Sequence, residues 1–149
     1  MCYLINKYSP NHFLYPCEPE ERARIDSMLY FEAITFIPAL KATYLPRVYE
    51  GVEEVSDEVM ETFREALKEL LALKGTSKFM AGYKISLVDL SLGTYFPILK
   101  MFHYEESQEL QEWFDYVEHA LPELKNQNEW VDYGEFAGIE DEKLEGDEE

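Results

Sequence analysis

The chain has 149 residues, and its hydrophobic content of 46% is sufficient to fill one core in one domain. Its net charge of -18 argues against nucleic acid and against an anionic membrane surface as partners, because both attract basic patches that the sequence does not show. The sequence has no apolar run of about 18 residues or more, and its first residues do not read as a charged region followed by an apolar segment, so we expect neither a membrane span nor a signal sequence. The two cysteines, Cys2 and Cys17, lack metal-ligand spacing, so we expect their thiols to be reduced. Taken together, these features lead us to expect a soluble, cytoplasmic protein.

The first 16 residues are predicted to form a short helix followed by a linker. Residues 1–8 have the length of about two helical turns. Ser9–His12 then interrupts the helical pattern with turn-forming residues. From Leu14 the chain is expected to run as a linker into the next helix.

A long helix is predicted from Pro19 to about Tyr44. Proline suits the first position of a helix, although Glu18 before it is a poor N-cap. Pro38 is expected to kink this helix, and Pro46 is expected to lie just past its end. The apolar side chains fall on two different faces, which indicates two packing partners.

Two further helices are predicted to be amphipathic, each with one buried face. Residues 56–74 are capped by Ser56 and followed by Gly75, and a later helix is capped by Ser107 and ended by Pro122. A short helix after Pro122, to about Trp130, is plausible. The predicted buried positions are Val59, Phe63, Ala66, Leu67, Leu70 and Leu71 in the first helix, and Leu110, Phe114, Val117 and Leu121 in the second.

The stretch Ile85–Phe102 is predicted to be the central helix of the core. Ser86 and Asp89 have the spacing of a capping box, and Ile85 and Leu90 are placed to form a hydrophobic staple. Because this helix is apolar nearly all round, we expect it in the middle of the core, bent at Pro97. The role of Ser86 and Asp89 is therefore interpreted as structural, not as that of a nucleophile and a base.

No strand pattern competes with these helices, and the sequence predicts an all-α bundle of about five helices. From Ile139 onward, seven of eleven residues are acidic. Such a composition buries too little apolar surface to become ordered, so residues 139–149 are expected to be a flexible tail.

Three stretches of this sequence resemble cytosolic glutathione transferases, and the resemblance as a whole covers roughly residues 3–133. The capping run at residues 85–90 resembles the N-capping motif of the C-terminal helical domain, and residues 79–82 are similar to the short run that precedes it. The linker and the first long helix are similar to those of the insect delta and epsilon classes. The residues that carry this last similarity are Leu14-Tyr15-Pro16, Pro19, Arg22-Ala23, Asp26 and Leu29-Tyr30-Phe31-Glu32.

The resemblance implies a domain organisation and a limit on chemistry. Residues 17–138 would be the helical C-terminal domain, and residues 1–16 would be the remnant of the last thioredoxin-domain helix plus the linker. In this family, glutathione is bound and its thiol is activated by an N-terminal thioredoxin-like domain, whose motifs the sequence does not show. We therefore expect no catalytic residue and no cofactor, with glutathione bound only if that domain is supplied.

The resemblance also implies two candidate sites. A hydrophobic ligand-binding wall would be formed by Ile37, Leu40, Tyr44 and Phe136, although stripes of this spacing belong to the core more often than to a pocket.

A subunit interface would involve Arg22, Asp26 and Tyr30, for which an exposed helix face is the alternative. The face that a missing domain leaves bare would be covered by residues 1–16 folded back over it, by a second copy or by a different protein. The three histidines are too scattered for a metal site, and none is expected.

Three functions remain open on the sequence alone. The first is a non-catalytic member of the glutathione transferase family that binds an apolar ligand or a protein partner. The second is a fragment of an active transferase that conjugates glutathione to hydrophobic electrophiles. The third is a structural or assembly module.

Overall fold

The computed structural model describes residues 1–101 and 107–124, and the repeating secondary structure in these ranges is entirely helical. A π-helical turn, Glu32–Phe36, joins the second α-helix to the third. The all-α prediction is confirmed. The described ranges contain seven α-helices where about five were predicted, and each of the two long predicted helices is divided into two. The α-helices are α1 Cys2–Tyr8, α2 Pro19–Phe31, α3 Ile37–Glu50, α4 Asp57–Lys74, α5 Leu87–Gly93, α6 Phe96–Met101 and α7 Gln108–Ala120.

The first long helix runs further than predicted and changes its hydrogen-bond register on the way. The N–H of Ile37 donates to the carbonyl of Glu32, five residues earlier instead of four. This wider turn immediately precedes Pro38, which has no N–H to donate. Pro46 lies inside α3 and not past its end, so that prediction is wrong; Gly51, with a φ of 66°, ends the helix.

The start of α2 also differs from the prediction. The carboxylate of Glu18 accepts hydrogen bonds from the backbone N–H groups of Glu21 at 2.6 Å and Glu20 at 3.1 Å. These bonds lower the pKa of the Glu18 carboxyl. Glu18 is therefore an effective N-cap, because its longer side chain folds back over the first turn.

The central stretch forms two helices and not one, so the prediction of a single bent helix is wrong. α5 ends at Gly93, Thr94 and Tyr95 form the turn, and α6 begins at Phe96. Pro97 is the second residue of α6, where a missing N–H removes no helical hydrogen bond. In a continuous helix the ring of Pro97 would meet the carbonyl of Gly93, which explains why the chain breaks here.

The two amphipathic helices form as predicted. Ser56 caps α4 through Val59, and Ser107 caps α7 through a 3.1 Å hydrogen bond from the N–H of Leu110. Gly75 follows the last residue of α4. Of the predicted buried positions, the structure buries Phe63, Ala66, Leu70, Leu110, Phe114 and Val117. Four others are only partly buried: Val59, Leu67, Leu71 and Leu121.

The core lies around α5, which packs between α2 and α7, while α3 packs against α4. An aromatic cluster of Phe96, Trp113 and Phe114 closes one side, with 5.1 Å between the ring centroids of Phe96 and Trp113. Leu40, Leu87, Val88 and Leu110 are fully buried in the same core. The fold thus fixes α5 from both sides.

Three predictions fall wholly or partly outside the described residues. The chain is helical again at residues 122–124, but the predicted extension to Trp130 lies beyond them. Phe136 and the acidic tail at residues 139–149 also lie outside. The domain boundaries at residues 16 and 138 remain predictions.

Candidate functional site

The buried carboxylate of Asp89 organises the start of α5. Its Oδ2 accepts hydrogen bonds from the backbone N–H and the hydroxyl of Ser86, both at 2.8 Å, within a capping box. Its Oδ1 accepts from the N–H of Met80 and from Nε1 of Trp113, both at 2.9 Å. Burial raises the pKa of Asp89, and the four hydrogen bonds oppose that rise. With both oxygens engaged by the fold, this carboxylate is placed for structure and not for proton transfer.

A second buried carboxyl is that of Glu32, which was not among the predicted site residues. It lies in the π-helical turn, and its Oε1 accepts a 2.6 Å hydrogen bond from the hydroxyl of Ser91 on α5. Its Oε2 is buried and has no hydrogen-bond partner among the residues that the structure describes. Burial raises the pKa of Glu32. The pKa of the nearby Tyr95 phenol is raised too, first by burial and then by the negative charge of Glu32.

The predicted ligand wall lies mostly inside the core. Leu40 is 0% exposed and Ile37 is 8% exposed, and both belong to the buried apolar cluster. Tyr44 is half-buried and packs against that cluster. Of the described members of the wall, Tyr44 is therefore the one with surface that a ligand can reach.

A large concave surface lies along α4, away from the predicted wall. It is a groove with a volume of about 970 Å³, bordered by the end of α3, the loop before α4, α4 itself and the start of α7. The apolar part of its lining is Val55, Met60, Phe63, Leu67, Leu71 and Ala72. The charged part is Arg47, Arg64, Lys68, Glu54, Asp57 and Glu109. We call this surface the α4 groove.

The α4 groove arises because the apolar stripe of α4 is wider than the core can cover. Phe63, Ala66 and Leu70 are buried, whereas Leu67 and Leu71 on the edge of the stripe are only partly buried. The sequence predicts one stripe of six residues and gives no indication that its edge lines a groove. The width of the apolar stripe on α4 is the one sequence feature that could have indicated a groove there.

Two of the three predicted interface residues hold the linker against α2. The guanidinium of Arg22 donates to the carbonyls of Pro16 and Tyr15, at 2.8 and 3.2 Å, and lies over the ring of Tyr15. The hydroxyl of Tyr15 donates to Asp26 at 2.5 Å, which raises the pKa of the phenol. Tyr30 is 68% exposed and free to contact another molecule. An intermolecular role for this set remains a prediction.

Neither a metal site nor a membrane span was found in residues 1–101 and 107–124. In this part of the chain, no three side chains of His, Cys, Asp or Glu are grouped so that they could hold a metal ion. None of its helices has the length and apolar character needed to cross a bilayer.

α2 and α7 pack on the buried, capped α5, and this all-α arrangement is similar to that of glutathione transferase structures. Comparison with solved structures supports this. A Bombyx mori glutathione transferase superposes with a TM-score of 0.77 at 26% identity, over 85% of this chain and 59% of that one. A delta-class glutathione transferase from Nilaparvata lugens gives a TM-score of 0.79 at 23% identity, over 92% of this chain and 66% of that one, and shows the fold alone.

The homologues of this chain are insect delta-class glutathione transferases, as the resemblance predicts. Glutathione S-transferase 1 of Manduca sexta is 31% identical over 88 residues, which are 59% of this chain and 40% of that protein. The match thus spans less than half the length of that relative. No protein-family model matches the sequence.

Proposed function

We propose that these 149 residues act as a glutathione transferase-like helical domain that binds an apolar ligand in the α4 groove and does not conjugate glutathione on its own. The observation that carries the proposal is the groove itself. A volume of about 970 Å³ suits a small organic molecule, and half-buried Met60, Leu67 and Leu71 provide an apolar floor. A cytoplasmic location is part of this proposal.

The non-catalytic part of the proposal follows from the chemistry of the site. The buried Asp89 has both oxygens engaged in hydrogen bonds, and Glu32 is held against Ser91. Within the described ranges no β-sheet accompanies these helices, as a thioredoxin-like domain would require. We expect that thiol activation needs such a domain, supplied by other residues.

Binding is tested with N-phenyl-1-naphthylamine, a neutral dye that fluoresces in apolar surroundings. Wild-type protein is expected to increase its emission, and Leu71→Gln is expected to weaken binding because it places an amide in the floor of the groove. Leu73→Gln is the matched control, since Leu73 is on the same helix but 56% exposed. Equal binding by wild type and Leu71→Gln would exclude the α4 groove.

The same assay separates the groove from the predicted wall. Tyr44→Ala removes the reachable member of that wall and leaves the lining of the groove unchanged. If this variant loses dye binding while Leu71→Gln retains it, the ligand binds at the wall. A separate assay with glutathione and 1-chloro-2,4-dinitrobenzene tests catalysis, and turnover by these residues alone would contradict the non-catalytic proposal.

A protein partner is a second candidate function, favoured by α1. No residue of this helix is buried, and Tyr3, Leu4 and Tyr8 are exposed by 67%, 56% and 71%. An apolar helix face of this kind is usually covered by another surface. A second copy of the chain, or a thioredoxin-like domain, would cover it. Light scattering of wild type and of Leu4→Glu tests this. If the partner contact is made through α1, Leu4→Glu should lower the molar mass of the assembly, and an unchanged mass would exclude α1 as the contact.

A further inference from the structure

We propose that a small pocket beside the linker binds the C-terminal residue of a peptide from another protein, holding one apolar side chain and the carboxylate next to it. Its lining includes Phe13 and Pro16 between α1 and α2, Glu21, Arg24 and Ile25 of α2, and residues 81–86. We call it the linker pocket. Among the described residues it shares none of its lining with the α4 groove, so this inference goes beyond the proposed function and does not rest on it.

Two contacts hold the walls of the linker pocket together. The backbone N–H of Leu87 donates to the carbonyl of Leu14 at 2.8 Å, which joins the linker to the start of α5. The ammonium of Lys84 pairs with the carboxylate of Glu21 on α2 at 3.0 Å. Because the walls are tied to each other, the pocket is formed before a ligand arrives, and binding does not have to order it.

The size of the linker pocket suits one apolar side chain. Its volume is about 260 Å³, which is below the range of roughly 300 to 1,000 Å³ that is usual for a whole small-molecule ligand. Ile25 and Ile85 give it an apolar floor. Phe13 and Tyr83 border it with 63% and 75% of their surface exposed. An apolar side chain that enters the pocket would cover part of both aromatic rings.

The charges of the linker pocket favour an anion beside that side chain. Of its charged lining residues within the described ranges, Arg24 and Lys84 are cations and Glu21 is an anion. Arg24 pairs with Glu20 and Lys84 pairs with Glu21, and the two cationic side chains are 63% and 81% exposed. A guanidinium and an ammonium keep further N–H donors after one such pair. A carboxylate of the ligand can therefore join either cation without breaking an existing ion pair.

Free backbone groups at residues 83–85 favour a peptide over a simple apolar acid. No backbone N–H or C=O of these three residues is hydrogen-bonded to another residue in the part of the chain that the structure describes. The N–H of Ser86, by contrast, donates to Asp89. A peptide carries a donor and an acceptor on almost every residue, so its main chain can pair with these groups. A hydrocarbon acid has no such groups to offer.

The test uses three short peptides. Acetyl-Ala-Val-Phe with a free carboxylate is compared with its C-terminal amide, which differs only in charge, and with acetyl-Ala-Val-Ala, which lacks the large apolar side chain. NMR titration of the labelled protein measures the affinities. We expect the acid to bind about fivefold more tightly than the amide, as one exposed ion pair predicts, and to shift the amide signals of residues 83–85. About 0.5 M salt should reduce this preference.

Two variants, each with a matched control, assign the binding to the linker pocket. Lys84→Gln is expected to remove the preference for the acid and to leave binding of the peptide amide unchanged. Lys78→Gln is its control, because Lys78 is exposed in the same loop but outside the pocket. Tyr83→Ala is expected to weaken both Phe peptides, and Tyr49→Ala, which removes an exposed ring elsewhere, is its control. Circular dichroism checks that all four variants are folded.

Each contrary result overturns the proposal. Equal binding of the acid and the amide would mean that the carboxylate is not recognised. Equal binding of the peptides that end in Phe and Ala would mean that the apolar side chain is not held. The same change of preference in Lys84→Gln and Lys78→Gln would place the acid outside the linker pocket, and no binding of any peptide would exclude the site. The dye assay of the α4 groove is independent of these results, so the proposed function and this proposal can fail separately.

Discussion

The indole Nε1 of Trp113 donates a hydrogen bond to Oδ1 of Asp89 over 2.9 Å, and this bond joins α7 to the first turn of α5. Asp89 is 0% exposed and Trp113 is 1% exposed, so water cannot replace either partner. Together with the N–H of Met80 on the same oxygen, the bond connects three separate segments through one side chain. A local helix cap has thus become a long-range link in the core.

Asp89→Asn is expected to destabilise the fold by about 2 to 4 kcal/mol. Asparagine keeps the size of the side chain but replaces one acceptor oxygen by an NH₂ group. That group then faces either the N–H groups of Met80 and Trp113 or, in the other orientation, the backbone N–H of Ser86. This loss exceeds the roughly 0.5 to 2 kcal/mol expected for a cap alone. Urea unfolding of the variant and the wild type measures the difference.

Ser86→Ala serves as the matched comparison for Asp89→Asn. It removes the hydroxyl that donates to Oδ2 but leaves the bonds from Met80 and Trp113 in place. We expect a loss of about 1 kcal/mol. Equal losses in the two variants would show that the contacts of Asp89 beyond the cap contribute little.

Glu32→Gln is expected to change how the free energy of unfolding depends on pH. Burial raises the pKa of Glu32 in the folded protein above 4.5, so the folded state binds its proton more tightly than the unfolded state does. The corresponding stability is fully present below pH 4.5 and is lost as the pH rises through the folded pKa. Wild type should therefore lose stability over this range, relative to the variant.

The quantity to measure is the difference in unfolding free energy between wild type and Glu32→Gln at several pH values. Because Asp89 also has a raised pKa, the slope of wild type alone would not isolate Glu32. Asp89 contributes equally to both proteins, and the subtraction removes it. A difference that does not vary with pH would mean that Glu32 titrates normally in the folded state.

Local signals predict much of this fold, and contacts between distant segments account for most of what they miss. Ser56, Ser107 and Gly75 mark helix ends because a hydroxyl cap or a glycine acts within one turn of its own position. The capping spacing of Ser86 and Asp89 is likewise local. The hydrogen bond from Trp113 to Asp89 spans 24 residues, and no spacing rule indicates it.

The candidate site was less predictable than the fold, for a related reason. An apolar residue on an amphipathic stripe can be core or groove, and only the position of neighbouring helices decides which. Leu40 is core and Leu71 borders the groove, although both lie on apolar stripes. Glu32 was part of a recognised run, but its burial depends on the π-helical turn and on Ser91 of α5.

Pro46→Ala is expected to stabilise the protein by about 1 to 2 kcal/mol. Pro46 is inside α3, where its ring crowds the carbonyl of Ala42 and no N–H completes the hydrogen bond. Alanine restores that bond and favours the helix by roughly 3 kcal/mol, while the more flexible unfolded chain offsets part of the gain. Thermal unfolding measures the shift. Pro38→Ala, beside the π-helical turn, is a useful contrast, and a melting temperature lowered by Pro46→Ala would contradict this prediction.

Gly93→Ala is expected to cost about 1 to 3 kcal/mol, because its new methyl group would overlap a methyl of the buried Leu124 side chain. The backbone of Gly93 is helical, so the cost comes from crowding at the end of α5 and not from backbone strain. A double-mutant cycle tests this. In the background of Leu124→Ala the space is already open, and the same substitution should become nearly neutral or slightly stabilising. Additive losses in the cycle would mean that the two side chains do not meet.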